Sequence, residues 1–310
     1  MQRILILLAV LCAAPAFGDE VLQLGSGRQI KGKVVKETSE TVFVDVGYTI
    51  LAVPKKEILS RVAERSSTKK GKAGEAKRSK DSIYSTIRRE EKSVKDNVLR
   101  TSAAVVLIST PRAFGSGFII SSDGYVVTND HVIQGETKIT VTLFEKGKDG
   151  GIEKRKIEKV KIVATNADVD LALLKLEGVN DLPIVYLGDS EAAKVGQPVF
   201  AIGNPHGLER TVSEGILSTL NRAYDGRIYL QTTTPINPGN SGGPLFNLKG
   251  EVIGVTNMGI TFSEGLNFAI PTNAVKRFLK NREAFAYDKD NPNTGYRYLA
   301  PPRKPGASKQ

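Results

Sequence analysis

A serine set between glycines on a forced turn is one way a protein exposes an activated hydroxyl, and Asn237-Pro-Gly-Asn-Ser-Gly-Gly-Pro-Leu245 has that form. Gly239, Gly242 and Gly243 reach backbone angles closed to other residues. The amides of Gly239 and Ser241, with Asn240 between them, can therefore converge on one point and bind a developing oxyanion. Ser241 as a nucleophile needs a general base. The chain has two histidines, His131 and His206. His131 follows Phe118–Ile120, Ser121–Gly124 and Tyr125–Thr128, which read as strand, turn and return strand, and a loop there is a rigid mount for a base. His206 sits in Gly203-Asn-Pro-His-Gly-Leu208, a turn-rich segment suited to shaping a surface. A third group, a carboxylate, would fix the tautomer of the histidine. Asp168 and Asp170 share strand parity, so spacing does not separate them, and Asp170 adjoins the apolar run Leu171-Ala-Leu-Leu174. Taken singly, the serine motif is an ordinary turn and the histidine a structural one. The three together are the pattern of nucleophilic catalysis.

The segments around His131, Asp170 and Ser241, in that order, resemble the trypsin-like serine proteases of the Deg/HtrA type. The resemblance runs from about Val98 to Phe285 and rests on Thr128-Asn-Asp-His-Val-Ile133, Asp170-Leu-Ala-Leu-Leu-Lys175, Ile202-Gly-Asn-Pro205, Val212-Ser-Glu-Gly-Ile-Leu-Ser218 and Gly265-Leu-Asn-Phe-Ala-Ile-Pro271. It implies Asp170 as the triad acid and an all-β fold of two six-stranded barrels with the site between them. It further implies a serine endopeptidase acting on unfolded or exported polypeptides without a cofactor or metal. The base of the primary pocket in such folds lies six positions before the serine, here Pro235, beside Ile236. With no acid in Thr232-Thr-Thr-Pro-Ile236, small or medium apolar side chains are expected at the cleavage site. Thr256, Asn257 and Met258 would form another wall and pair with substrate as an added strand. Many relatives have an aspartate where Thr233 stands, and that departure bears on loop conformation. The rival reading is a protease-like protein of the envelope that binds polypeptides without cutting them.

The rest of the chain frames that domain. With 310 residues, 40% of them apolar, it is long enough for one substantial domain and a small one. Met1–Gly18, with Arg3, an apolar run and small residues before Asp19, reads as a signal peptide, and implies a periplasmic or secreted protein. The single cysteine, Cys12, falls inside it, and bulky Leu11 argues against a lipid anchor there. Residues 20–63 read as a separate small β module with strands at Val21–Leu24, Ile30–Val35, Val42–Val46 and Ile50–Val53 and a helical turn at Lys55–Leu59. It resembles small SH3-like barrels, and either docks an envelope partner or acts as a spacer. Ser66–Lys80 is a basic linker, followed by a helix expected over Ser82–Val98; by resemblance this leading region helps build a homo-oligomer, a trimer. The net charge of +11 lies partly in that linker and partly in Glu145–Lys156, read as a hairpin tip. With no aromatics interleaved for base stacking, it speaks for solubility rather than nucleic acid binding. A C-terminal helix is expected over Thr272–Arg282, capped by Thr272 or Asn273, with Val275, Phe278 and Leu279 on one face. Residues 286–310 are expected to be an extended tail in place of the PDZ domain most relatives carry.

Overall fold

Short apolar runs punctuated by Gly, Asn and Asp turns cannot sustain long helices, and they fold here into sheets. A computed structural model describes residues 19–46, 50–63, 82–87, 89–147, 149–204, 211–224, 226–259 and 266–288. Residues 1–18 with Cys12, read as a signal peptide, the basic segment, His206 and residues 289–310 lie outside the described residues. The described residues fall into two compact units, 19–46 with 50–63 in the first and those from 82 onward in the second.

The first unit is an antiparallel sheet of β1 (Asp19–Leu24), β2 (Gln29–Glu37), β3 (Thr41–Asp45), β4 (Ile50–Pro54) and β5 (Ile58–Ala63), in the order β4-β3-β2-β1-β5. The alternation of Val42 and Val44 turns both to the interior, where they meet Leu22, Val34 and Val53. The helical turn expected over Lys55–Leu59 is a single 3-10 turn at Lys55–Glu57. From Ile58 the chain instead runs as β5, pairing antiparallel with β1. The sequence reading did not anticipate this strand because Leu59 and Val62 stay largely exposed, 71% and 62%, so no buried period marks it.

In the second unit, residues 82–87 and 89–92 are not helical. Their backbone is spent on neighbouring loops, with Ser85 O accepting from Leu187 N and Lys92 N donating to Leu248 O. The helix expected over Ser82–Val98 is confined to α1 (Val94–Thr101), which begins where Ser93 Oγ accepts from Asp96 N at 3.1 Å. A first sheet follows: β6 (Val105–Ser109), β7 (Phe114–Ser121), β8 (Tyr125–Thr128), β9 (Thr140–Lys146), β10 (Ile152–Ile157), β11 (Val160–Asn166) and β12 (Leu171–Leu176). Its order is β10-β9-β6-β7-β8-β12-β11: the six strands expected, with β10 added as the outer arm of the charged hairpin. Between β8 and β9 the chain forms α2 (Asp130–Ile133), so His131 sits on a short helical turn rather than a plain loop.

The second sheet holds β13 (Tyr186–Leu187), β14 (Pro198–Gly203), β15 (Thr211–Tyr224), β16 (Arg227–Thr232), β17 (Pro244–Asn247), β18 (Glu251–Gly259) and β19 (Asn267–Pro271). Pairing of β18 with β19 closes β18-β17-β14-β15-β16-β19 into a six-stranded barrel, with β13 added parallel to β18. Leu217, Leu230, Leu245 and Ile253 fill its interior. Phe200, Phe246 and Phe268 join the larger core of the first sheet, so apolar packing joins the two sheets. The final helix, α3 (Thr272–Lys280), buries Val275, Phe278 and Leu279 as its period requires. Its N-cap is Pro271, with no side-chain cap bond; the hydroxyl of Thr272 donates instead to Val252 O. Ala286 still bridges Ala164, and Tyr287 N donates to Val163 O, so the chain remains paired just beyond Phe285.

Candidate active site

The two sheets bring the singled-out residues to one place. Ala167–Asp170 is a tight turn between β11 and β12, not a strand, so the parity argument that left Asp168 and Asp170 equivalent does not apply. Asn166 Oδ1 accepts from Asp168 N at 3.0 Å, and Asp170 N donates to Ala167 O at 3.3 Å. Asp170 takes a φ of 54°, a left-handed angle that aspartate tolerates better than most residues. This turn aims Asp170 at α2: Oδ1 accepts from His131 N at 2.9 Å and Oδ2 meets His131 Nδ1 at 2.7 Å. Asn129 Nδ2 donates to Asp170 O at 2.9 Å, so the turn and the start of the helix are laced from both sides.

Burial alone would push the His131 imidazole down, but the hydrogen bond and charge of Asp170 override it and hold the ring above its ordinary value. The imidazole remains 46% exposed, which leaves its outer edge open to a reactant. Asp130, buried beside it, is pushed up to about 6 by desolvation, with the charge of Asp170 adding to the rise and His131 and Arg227 opposing it.

Ser241 stands on a loop built from backbone contacts. Gly239 and Gly242 have φ of 101° and 83°, which licenses the glycines. A Cβ on Gly242 would overlap Thr128 Oγ1 and Ser116 O, so the loop is seated directly against the end of β8 that leads to His131. Ser116 N donates to Ser241 O at 2.8 Å, and Ser116 Oγ donates to Gly239 O at 2.7 Å while accepting from Asn204 N at 2.9 Å. Among the described residues, no acceptor takes the amides of Gly239 or Ser241, whereas Asn240 N is spent on Asn237 O at 2.9 Å. Asn240, expected with the oxyanion group, is thus a spacer whose side chain lies against Gly203.

Asn257 links the two halves. Its Nδ2 donates to Asp170 Oδ2, and its carbonyl accepts from Ser241 Oγ at 2.9 Å. The serine hydroxyl therefore rests on Asn257 O rather than on the imidazole.

The proposed specificity residues fall into different places. Pro235 is exposed and its carbonyl accepts from Ser213 Oγ at 3.0 Å; Ile236 is buried. Thr256 is not a free wall. Its amide donates to Gly243 O, its carbonyl accepts from Gly242 N, and its hydroxyl donates to Asn240 O at 2.5 Å. Its amide, carbonyl and hydroxyl are thus all engaged with the serine loop. The side chain of Met258 lies outside the described residues. Thr233, where an aspartate was expected from the resemblance, uses Oγ1 to accept from Ile216 N at 2.9 Å and so fastens the segment before the loop to β15. Sequence reasoning missed Ser116 and the side chain of Asn257, since neither lies in the local turn pattern that marked Ser241. Among the described residues, no cluster of His, Cys, Asp and Glu is arranged to hold a metal ion.

Residues 115–255 match the trypsin-like peptidase domain family. The chain is 49% identical over 166 residues to the "Probable periplasmic serine endoprotease DegP-like" of Pseudomonas putida (strain GB-1), covering 52% of this chain and 33% of that protein. The protein of the same name from Halomonas elongata is also 49% identical, with the same coverage. The chain thus spans about a third of the length of the curated relatives it matches. A solved structure titled as the HtrA-type protease AlgW with tripeptide superposes with a TM-score of 0.54 at 34% identity, over 61% of this chain and 63% of that one.

Proposed function

We propose that the chain, whose residues 115–255 match the trypsin-like peptidase domain and which is similar to proteases of the Deg/HtrA type, is a serine endopeptidase cutting unfolded or exported polypeptides. The observation that carries the reading is the bidentate grip of Asp170 on His131, through Nδ1 and the backbone amide. Because Asp170 occupies Nδ1, the neutral imidazole presents Nε2 as the lone-pair face, the tautomer a general base requires. On this reading Ser241 Oγ leaves Asn257 O for that nitrogen; catalytic hydrogen bonds often tighten only once substrate is bound.

His131 then takes the Ser241 proton as the oxygen attacks the peptide carbonyl, and Asp170 stabilises the imidazolium. The free amides of Gly239 and Ser241 receive the oxyanion, each donor contributing about 3 kcal/mol to the transition state. The imidazolium returns its proton to the leaving amine, and water hydrolyses the acyl-enzyme.

The lack of an acid in Thr232-Thr-Thr-Pro-Ile236 supports small or medium apolar side chains at the cleavage site. The relatives' names support a periplasmic setting. Assembly as a trimer and docking of an envelope partner by the β1–β5 sheet belong to the same proposal.

The test is digestion of unfolded casein by the purified chain and its Ser241→Ala variant, with cut sites read by mass spectrometry. The proposal expects cuts after small or medium apolar residues in the first and none in the second. Cuts after Lys or Arg would refute the specificity. Retention of intact casein without cutting would replace the enzyme with a binding protein; Ser241's resting contact with Asn257 O is the feature that would favour that reading.

A further inference from the structure

Arg227 opens β16 in the second sheet, after the turn at Gly226 (φ 72°), yet its guanidinium is spent on the first. Nε donates to Asp168 O at 2.7 Å and Nη2 to Ala167 O at 2.9 Å. These are consecutive carbonyls of the turn that ends in Asp170. Nη1 reaches the hydroxyl of buried Tyr229 at 3.4 Å, which steadies the fork from its own strand. The Ala167 carbonyl also accepts from Asp170 N, so the arginine binds the same atom that closes the turn. A planar guanidinium suits two adjacent carbonyls; a lysine ammonium offers a single point.

The turn needs such a tie. Asp170 sits at a left-handed angle, which a non-glycine residue keeps where its surroundings hold it. From within its own sheet the turn is fastened by Asn166 and Asn129; Arg227 adds a fastening from the sheet that carries Ser241. We infer that Arg227 is a positioning residue for the site: it clamps the Ala167–Asp168 backbone, fixes where Asp170 meets His131, and so sets the histidine against the serine sheet.

Its charge acts on the same group. The ionisable side chains facing His131 are Asp170 and Asp130, which favour the imidazolium, and Arg227, which disfavours it. Taking Arg227 away leaves the two carboxylates unopposed.

The inference rests on the peptidase reading only for its turnover measurement, so the experiment pairs turnover with a titration that needs no catalysis. The Cε1–H resonance of His131 is followed by NMR against pH in the whole chain and in its R227Q and R227K variants. A His206→Gln background removes the other histidine signal. In R227Q the imidazole titrates at higher pH than in the parent, and kcat falls roughly ten- to a hundredfold with KM little changed, because a residue remote from substrate misplaces a reacting group rather than weakening binding. In R227K, which keeps the charge but not the fork, the titration stays near that of the parent while kcat still falls. A parental kcat in both variants, or an unmoved His131 titration in R227Q, would overturn the inference. If R227Q does not fold, R227K decides: a lowered kcat at unchanged KM supports the clamp, and a parental kcat defeats it. An inactive parent would defeat the peptidase reading instead, and the R227Q titration would still decide the role of Arg227.

Discussion

The histidine–carboxylate half of the site is held by side chains, and the serine half mainly by backbone, with the hydroxyls of Ser116 and Thr256 beside it. Asp170 grips His131 through both carboxylate oxygens, Asn129 and Asn166 hold the turn beneath it, and ionisable neighbours stand around the imidazole. Around Ser241 the corresponding work falls to glycine angles, to backbone bonds among Ser116, Asn240, Gly242, Gly243 and Thr256, and to the bare amides of Gly239 and Ser241. The difference teaches that the two halves should fail differently. The first should respond to charge and pH, with its fold intact. The second should respond to volume, because there is no room for a Cβ.

The largest effect expected short of deleting the nucleophile is at the grip itself. Asp170→Asn keeps the shape but presents an amide to Nδ1, favouring the wrong tautomer; kcat should fall by about 10⁴, with the melting temperature close to that of the parent. A loss below tenfold would mean that the carboxylate is not what orients the imidazole. Next is Gly242→Ala in the other half. The added methyl meets Thr128 Oγ1 and Ser116 O at a positive φ, so turnover and stability should drop together, the stability by about 2–4 kcal/mol. Parental stability in a urea melt would show that the loop yields to volume, and would erase the contrast between the halves.

The smallest effect on turnover, and the most selective, is Asp130→Asn. A carboxyl raised in the fold from 3.8 to about 6 binds its proton more tightly folded than unfolded. It therefore costs stability as pH rises through that window. Removing it should stabilise the chain by about 3 kcal/mol at pH 7 and by well under about 1 kcal/mol near pH 4. The same change removes one carboxylate from His131, so the acid limb of kcat/KM should move to lower pH. In the parent that limb should lie above the ordinary histidine value, because Asp170 raises the imidazole. A stability gain equal at pH 4 and pH 7 would show that Asp130 does not titrate in this window.

The three groups that could do chemistry were legible because each lies in a short run with its own local signature. Gly-Asn-Ser-Gly-Gly forces a turn, His131 ends a clean hairpin, and Asp170 heads an apolar strand. The β7–β8 hairpin and the apolar face of α3 were legible for the same reason: their periods are local. What escaped depends on partners far along the chain. The β5 strand pairs with β1 some 40 residues upstream, at about one ladder bond per residue, and buries too little to show a period. Residues 82–87 and 89–92 looked helical, yet Leu187 and Leu248 claim their backbone from the far side of the domain. Thr256 looked like a pocket wall because strand alternation cannot reveal that a hydroxyl and both backbone groups are committed to another loop. Arg227 gave no local sign at all, since its partners, Ala167 and Asp168, belong to the other sheet.

The central claim is that Ser241, poised by His131 and Asp170, is a nucleophile, and a fluorophosphonate probe reads it directly. Incubation of the folded chain with the probe, followed by intact mass and peptide mapping, should give one adduct on the peptide carrying Ser241. The adduct should be absent in Ser241→Ala and much slower to form in Asp170→Asn. No adduct on the folded parent, or an adduct that survives Ser241→Ala, would contradict the account.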